Sequence, residues 1–249
     1  MNFTLQFEIS HRNDLSEIDI QEMFDLMNSN YFQMDFKCFK EDLNLKDWVC
    51  LLRNNLKSIK GFTTAAYNPP SCQSADYNVF FSGDTIIDPQ YWGSQEIVKG
   101  FCYIAGMFKS FDPQKPLYWF LISKGHRTYE YLPLFFKNYI PRLDSDKTHP
   151  YVEILNNIAT QMYPEKWDPE TGLVKPLHET GFLNSDLTQV DSSRSKTNLH
   201  IQFFYKQNPY FSMGYELACL TELCQENMHK RIVRYMVVGE NHEIIDKMG

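Results

Sequence analysis

The stretch that most constrains how this chain can fold runs from Tyr77 to Phe111. Tyr77-Asn-Val-Phe-Phe-Ser-Gly-Asp-Thr-Ile-Ile87 has the β-branched and aromatic content of a strand. Asp88-Pro-Gln-Tyr-Trp-Gly-Ser94 is a polar turn, and Gln95 to Phe108 resumes as an amphipathic helix. A strand that ends in Asp-Pro and restarts as a helix is one way an α/β fold presents backbone N–H groups to an anionic ligand. The rest of the chain has to supply neighbours for this unit.

The flanking sequence supplies them. Leu5–Ile9 alternates with period two and is expected to be a strand, and Ser16-Glu-Ile-Asp19 has the pattern of a capping box. That box opens a helix with Ile20, Met23, Phe24 and Met27 on one face. Asp35 caps a shorter helix carrying Phe36, Phe39 and Leu43. Asp47–Arg53 and Ile59–Tyr67 flank Asn54-Asn55 as a hairpin. After Asp112-Pro-Gln-Lys-Pro116, Leu117–Ser123 is almost wholly apolar, as in a strand buried on both faces, and a helix is expected over Tyr129–Tyr139.

The second part yields a helix over Pro150–Met162, a turn-rich Trp167–Gly172, and a polar surface loop over 184–198. Strands are expected at His200–Tyr205 and Tyr215–Leu220, with a turn over Asn208–Gly214 between them. A final helix covers Gln225–Tyr235, and its His229, Lys230, Arg231 and Arg234 read as a solvated face.

With 249 residues, 43% hydrophobic and 22% charged, the chain can bury a substantial core. Its 19 Phe, 15 Tyr and 4 Trp suit a thick core or an apolar tunnel. A net charge of -7 with no basic block argues against binding to nucleic acid, which requires a cationic surface. No apolar run reaches the ~20 residues of a membrane span. The N-terminus lacks the basic-then-apolar order of a signal peptide. The six cysteines include no CxxC pair and no metal site is expected, so reduced thiols in a cytoplasmic protein are the reading.

The order β, α, α, β-hairpin, β, turn, α, β, α resembles that of the GNAT superfamily, the acyl-CoA N-acyltransferase fold, over Leu5 to Arg142. The strings 82–85, 117–129 and 139–142 look like those of bacterial GNAT-like proteins. The resemblance implies a mixed α/β (α+β) architecture: a mostly antiparallel twisted sheet flanked by helices, with a C-terminal extension. Residues 1–147 form the core, and 148–249 complete the sheet and cover the acceptor side, whether or not within the same domain. It further implies acyl transfer from acyl-CoA or an acyl carrier protein to an amine of a small molecule or peptide. The alternative is a GNAT-like binding or accessory protein without the chemistry.

The family's phosphate-binding pattern, Gln/Arg-x-x-Gly-x-Gly/Ala, maps onto Gln90-Tyr-Trp-Gly93-Ser94-Gln95. Gln90 and Gly93 fit, whereas Gln95 stands where a small residue is usual, so its side chain either blocks the ligand or swings away. Ile86, Ile87 and Ser123 complete the expected cofactor contacts. Asp84 is the candidate base: flanked by Phe80, Phe81, Ile86 and Ile87, it would gain a raised pKa by desolvation. A structural hydrogen bond is the competing use. His126 is either a proton shuttle or a residue that caps the next helix or faces solvent. Tyr129 and Tyr131 can donate a proton to a departing thiolate or serve in packing.

Overall fold

Strand β5, Asn78–Ile87, is the pivot of the fold. The structure, a computed structural model, describes residues 5–32, 34–144, 148–176, 182–183 and 197–241. On one side of β5 an antiparallel meander is built by β1 (Gln6–His11), β3 (Trp48–Arg53) and β4 (Ile59–Tyr67). On the other side lies β6 (Leu117–Ser123), parallel to β5, after a crossover through α3 (Glu96–Phe111). β6 is followed in the sheet by β10 (Glu216–Glu222), which is antiparallel to it, and then by the short β8 (Leu173–Val174) and β7 (Trp167–Asp168). The eight-stranded order is therefore β1-β3-β4-β5-β6-β10-β8-β7, with one parallel pair. A separate ribbon joins β2 (Tyr31–Phe32) to β9 (Phe182–Leu183). The mixed, mostly antiparallel sheet expected from sequence is the one observed.

Three apolar clusters cover its faces. Under α3 and the last helix, α8 (Lys230–Glu240), lie Leu52, Phe80, Trp119 and Leu217. The opposite face carries two. One packs under α1 (Glu17–Asn30) and α2 (Phe36–Leu43) around Phe62, Met23 and Phe39. The other packs under α6 (Tyr151–Met162) around Phe120, Leu155 and Ile158.

The local signals for α1 and α2 are realised. Ser16 and Asp19 form both halves of the capping box, and the Asp35 carboxylate accepts from the Cys38 amide at 2.8 Å. Four of the six cysteines are buried and all six are free thiols.

Three expected elements differ. His200–Tyr205 belongs to a helix, α7 (Leu199–Gln207), because Asn198 caps the His200 and Ile201 amides. Ile201 and Phe204 then share a buried face at helical spacing. The helix expected over Tyr129–Tyr139 is instead α4 (His126–Tyr129) and α5 (Tyr131–Phe135). Pro133 lacks the amide that would bond to the Tyr129 carbonyl, and beyond Phe135 the chain turns extended. The last helix starts at Lys230, five residues later than expected, after an asparagine-anchored turn at 224–228. Of the polar loop expected over 184–198, residues 184–196 lie outside the described residues.

α8 packs against α3 at backbone contact. A Cβ on Gly106 would stand 2.0 Å from the Met236 carbonyl oxygen, and one on Gly239 would stand 2.0 Å from that of Tyr103. Glycine to alanine inside a helix ordinarily gains about 1 kcal/mol. Here the added methyl forces two helices apart, so Gly106→Ala is expected to lose about 2 kcal/mol net, read by urea unfolding. A stabilised variant would show that the helices do not touch.

Candidate active site at the strand gap

Two irregularities in β5 create the site. The register with β4 runs Thr63 opposite Thr85 and Ala65 opposite Ser82, so Gly83 and Asp84 together face the single residue Thr64. This is a β-bulge, and one extra residue reverses which side chains face which side beyond it. Pairing with β6 extends from Asn78–Leu117 to Phe81–Phe120 and no further. Past that point the two strands diverge and leave a gap whose strand edges have no ladder partner across it.

On the groove face of the gap, between the two apolar clusters, charged groups converge from several elements. They are Asp42 of α2, Lys46 after it, Asp84 at the bulge, Lys124 after β6 and Glu216 of β10, with Tyr31 and Tyr163 beside them. Lys46 is 3% exposed. Its ammonium donates to the Asp42 carboxylate at 2.8 Å and to the Asp42 carbonyl at 3.1 Å, and lies over the Phe81 ring. Lys124 stands 3.7 Å from Glu216 and over the Tyr31 ring. Two cations thus meet three carboxylates. Asp84 is the carboxylate left over: it accepts no hydrogen bond and makes no ion pair within 4.0 Å among the described residues. Thr64 Oγ1, buried and without a hydrogen-bond partner, points at the same bulge, 2.5 Å from where a Cβ of Gly83 would sit.

Asp84 keeps some solvent-accessible surface but is enclosed deeply enough to be desolvated. Burial, reinforced by the Asp42 charge, pushes its carboxyl up to about 6 against the pull of Lys46 and Lys124. Burial and the Asp84 charge also raise Glu216, after the opposing pull of Lys124, and Tyr31 is raised by burial, Asp84 and Glu216. The raised value matches the sequence expectation, but the surroundings do not. The apolar neighbours Phe80 and Ile87 face the other side of the sheet, and what faces Asp84 is charged.

The other face of the gap opens into a narrow cleft beneath α3. It is lined by Ser82 and Thr85 of β5, Thr63, Trp119, the first two turns of α3, Tyr131, Phe135 and Ile232. Tyr131 stacks on Phe135, and its hydroxyl has no hydrogen-bond partner among the described residues. Burial raises its pKa while Arg127 pulls it down.

The turn before α3 carries the expected phosphate pattern. Asp88 caps Gln90, and Gly93 has φ +93° with nothing within 4 Å of a Cβ position. Gln95 is the N-cap of α3, makes no side-chain capping bond, and points into solvent, so it leaves the turn open. The Arg127 guanidinium lies over the Trp92 indole, 3.9 Å from its centre, and that indole donates to the Ile87 carbonyl at 3.0 Å. Ile86 packs into the α1–α2 cluster. Glu96, in the first turn, pairs with Lys99.

The other expected residues are used by the fold. Ser123 donates to the Gly125 carbonyl at 2.8 Å. His126 is 6% exposed, bonded through Nδ1 to the Tyr205 hydroxyl at 2.9 Å, and 4.0 Å from Glu130. Tyr129 is fully buried and donates to the Pro141 carbonyl at 2.9 Å. The sequence reading missed Asp42, Lys46, Glu216, Tyr31 and Tyr163. Strand alternation from Leu217 inward gives Glu216 its face, but nothing short of the fold brings the five together. Among the described residues, no three of His, Cys, Asp or Glu converge as metal ligands, and no helix is long and apolar enough to cross a membrane.

No protein-family model and no curated protein matches the chain. Among solved structures, it is similar to the GNAT family N-acetyltransferase YhbS of Escherichia coli in complex with CoA. Identity is 12% over 53% of this chain and 69% of that one, at a TM-score of 0.38. An acyl-CoA N-acyltransferase of Pseudomonas aeruginosa gives 14% over 53% and 88%, at 0.39. Arabidopsis thaliana NAA60, in complex with a bisubstrate analogue, gives 11% over 55% and 86%, at 0.40. Overlap this partial adds nothing to what the strand pairing shows. The element order β1, α1, α2, β3–β4 hairpin, β5, turn, α3, β6, α4 is the one the resemblance implied. The fold is a mixed, mostly antiparallel sheet flanked by helices.

Asp84 carries a signed stability consequence. Its folded value lies above the ordinary 3.8, so the folded protein holds this proton more tightly than the unfolded chain. The cost of keeping it ionised is present above pH about 6 and is relieved as pH falls toward 3.8. Asp84→Asn is therefore expected to stabilise the protein by ~1–2 kcal/mol at pH 7.5, with the difference vanishing near pH 4. Urea unfolding across that range checks it, and a destabilised variant at pH 7.5 would contradict the buried, unpaired carboxylate.

Proposed function

We propose that this protein transfers an acyl group from an acyl thioester, carried by CoA or by an acyl carrier protein, to an amine of a small molecule or peptide. The observation that carries the reading is the unpartnered Asp84, held at a bulge that opens onto the gap between β5 and β6. With a pKa near 6 it is ionised at neutral pH and placed to accept the proton an amine gives up. The proposed mechanism is that the amine nitrogen attacks the thioester carbonyl from the groove face. Its proton passes to Asp84, the carbon–sulfur bond breaks, and the thiolate takes a proton from Tyr131 on the other face. Tyr131 replaces Tyr129 and His126 in this reading because the Tyr129 hydroxyl and His126 Nδ1 are engaged inside the fold, whereas Tyr131 lines the cleft.

The backbone fits the donor. The unpaired edge of β5 beyond Phe81, including Ile86 and Ile87, can receive the amides of a pantetheine arm as a further strand would. The turn Gln90, Gly93, Ser94 and Gln95, the N-terminal end of α3, and Arg127 suit its phosphates. The pairing of β2 with β9, which sets Leu183 opposite Tyr31, and the place of β10 in the sheet support the reading that the C-terminal part completes the sheet and covers the acceptor side. A second reading, binding without chemistry, is favoured by Glu96, whose charge opposes an anion at the same helix start.

Thermal shift with CoA thioesters tests both readings without separating them. A ligand at 100 times its Kd stabilises by about 2.7 kcal/mol, and no shift with any thioester would remove both. Given binding, turnover is expected to rise with pH through about 6 and to fall ~10²–10⁴-fold in Asp84→Asn. Tyr131→Phe should lower kcat about tenfold or more and leave KM unchanged. Unaltered turnover in Asp84→Asn leaves the binding reading.

A further inference from the structure

Arg127 of α4 and Lys230, Arg231 and Arg234 of α8 are exposed, and none makes an ion pair within 4.0 Å among the described residues. Aromatic rings hold the three arginines instead. The Arg127 guanidinium lies over Trp92, and that of Arg231 lies 5.4 Å from the centre of Phe135 and donates to the Leu134 carbonyl at 2.8 Å. Arg234 lies 4.7 Å from the centre of Tyr235 and donates to its hydroxyl at 2.6 Å. An arginine fixed on a ring has given up rotamer freedom in advance while its charge stays uncompensated. The nearby carboxylates are spent elsewhere: Glu96 on Lys99, and Glu130 on Asn198 and His126.

These cations stand beside the entry of the donor. The pantetheine arm proposed for the β5 edge starts at the turn Gln90–Gln95, where Arg127 covers Trp92. Tyr235 of α8 carries Lys99, from the first turn of α3, as well as Arg234, so the α8 cations continue from that turn. Trp92 and Leu134, 42% and 43% exposed, lie against them. Arginine with exposed aromatic and aliphatic side chains is the composition of a protein interface, whereas a solvated helix face has no need of the apolar part. On a chain of net charge -7, an acidic partner is repelled by most of the surface and steered here. The start of α3 already holds Glu96, which disfavours the several phosphates of a nucleotide more than a single phosphodiester.

We propose, resting on the acyl-transfer reading, that Trp92, Arg127, Leu134, Lys230, Arg231 and Arg234 form the docking face for an acidic carrier protein, whose phosphopantetheine arm delivers the acyl thioester. Acyl-CoA shares the arm but lacks the acidic surface, and is the weaker donor.

The test is calorimetric binding of the acyl carrier proteins of the organism that encodes this chain, in the apo form without the arm and in the holo form. Turnover is measured alongside with their acetyl and hexanoyl thioesters, with the same thioesters of CoA, and with those of N-acetylcysteamine, which is uncharged. Lys230→Glu, Arg231→Glu and Arg234→Glu, each confirmed folded by urea unfolding, should weaken carrier binding roughly tenfold, and rising salt should weaken it further. The same reversals should raise KM for the acyl-carrier, leave its kcat unchanged, and leave turnover of the N-acetylcysteamine thioesters unchanged. Carrier binding in both forms that the reversals weaken supports the docking face even if no thioester is turned over and the transfer reading fails. Turnover of CoA or N-acetylcysteamine thioesters with no carrier bound keeps the transfer reading and overturns the docking face. Carrier binding that none of the three reversals weakens overturns it too. So does binding of phosphatidylglycerol vesicles, lost in the reversals, with no carrier bound, which assigns the face to a membrane surface.

Discussion

One extra residue in β5 determines how the two faces of the sheet divide their work. Without the bulge opposite Thr64, strict alternation from Phe80 and Ser82 would turn Asp84 onto the α3 side, into a wall of Phe and Trp. With it, Gly83 and Asp84 both face the groove, and Thr85 and Ile87 return to the α3 side. A Cβ on Gly83 would stand 2.4 Å from Lys46 Cε and 2.5 Å from Thr64 Oγ1, so the buried Lys46–Asp42 pair packs directly on the bulge. The chemistry proposed for Asp84 therefore rests on a backbone irregularity before it rests on any electrostatic tuning.

The groove concentrates unfavourable terms. Three carboxylates and two lysines in partial burial, one carboxylate unpaired, and a threonine hydroxyl without a partner all cost stability. The opposite face shows the contrary, with stacked and edge-on aromatics from Phe80 to Phe136 and two helices in backbone contact. A fold that sets the stability of one face against a charged opening in the other has the distribution expected where function and stability compete.

Much of this was legible in the sequence where a signal is local. The capping box at Ser16, the Asn54-Asn55 hairpin and the doubly buried run Leu117–Ser123 each depend on neighbours within a few residues, and each is present. Asp84 could be singled out because a lone carboxylate in a β-rich run is conspicuous. Its environment could not, because Asp42, Lys124 and Glu216 reach it from elements separated by up to 174 positions (216 − 42). His200–Tyr205 was misread because Phe-Phe-Tyr favours a strand intrinsically, and only the Asn198 cap with the Ile201–Phe204 spacing tips it to helix. The choice between Tyr129 and Tyr131 turns on which hydroxyl the fold consumes, a fact no spacing encodes.

The glycine contact between α3 and α8 bears on when the cleft can exist. Gly106 and Gly239 are 133 positions apart (239 − 106), and Ile232 of α8 is part of the cleft wall. During synthesis, the sheet and α3 can associate while the cleft is still an open apolar trough. It becomes a bounded chamber when the last described helix docks against α3. Such a long-range closure is slow to form and exposes hydrophobic surface until it does. The residues that shape the cleft thus stay partly uncovered until α8 seats its glycine against α3.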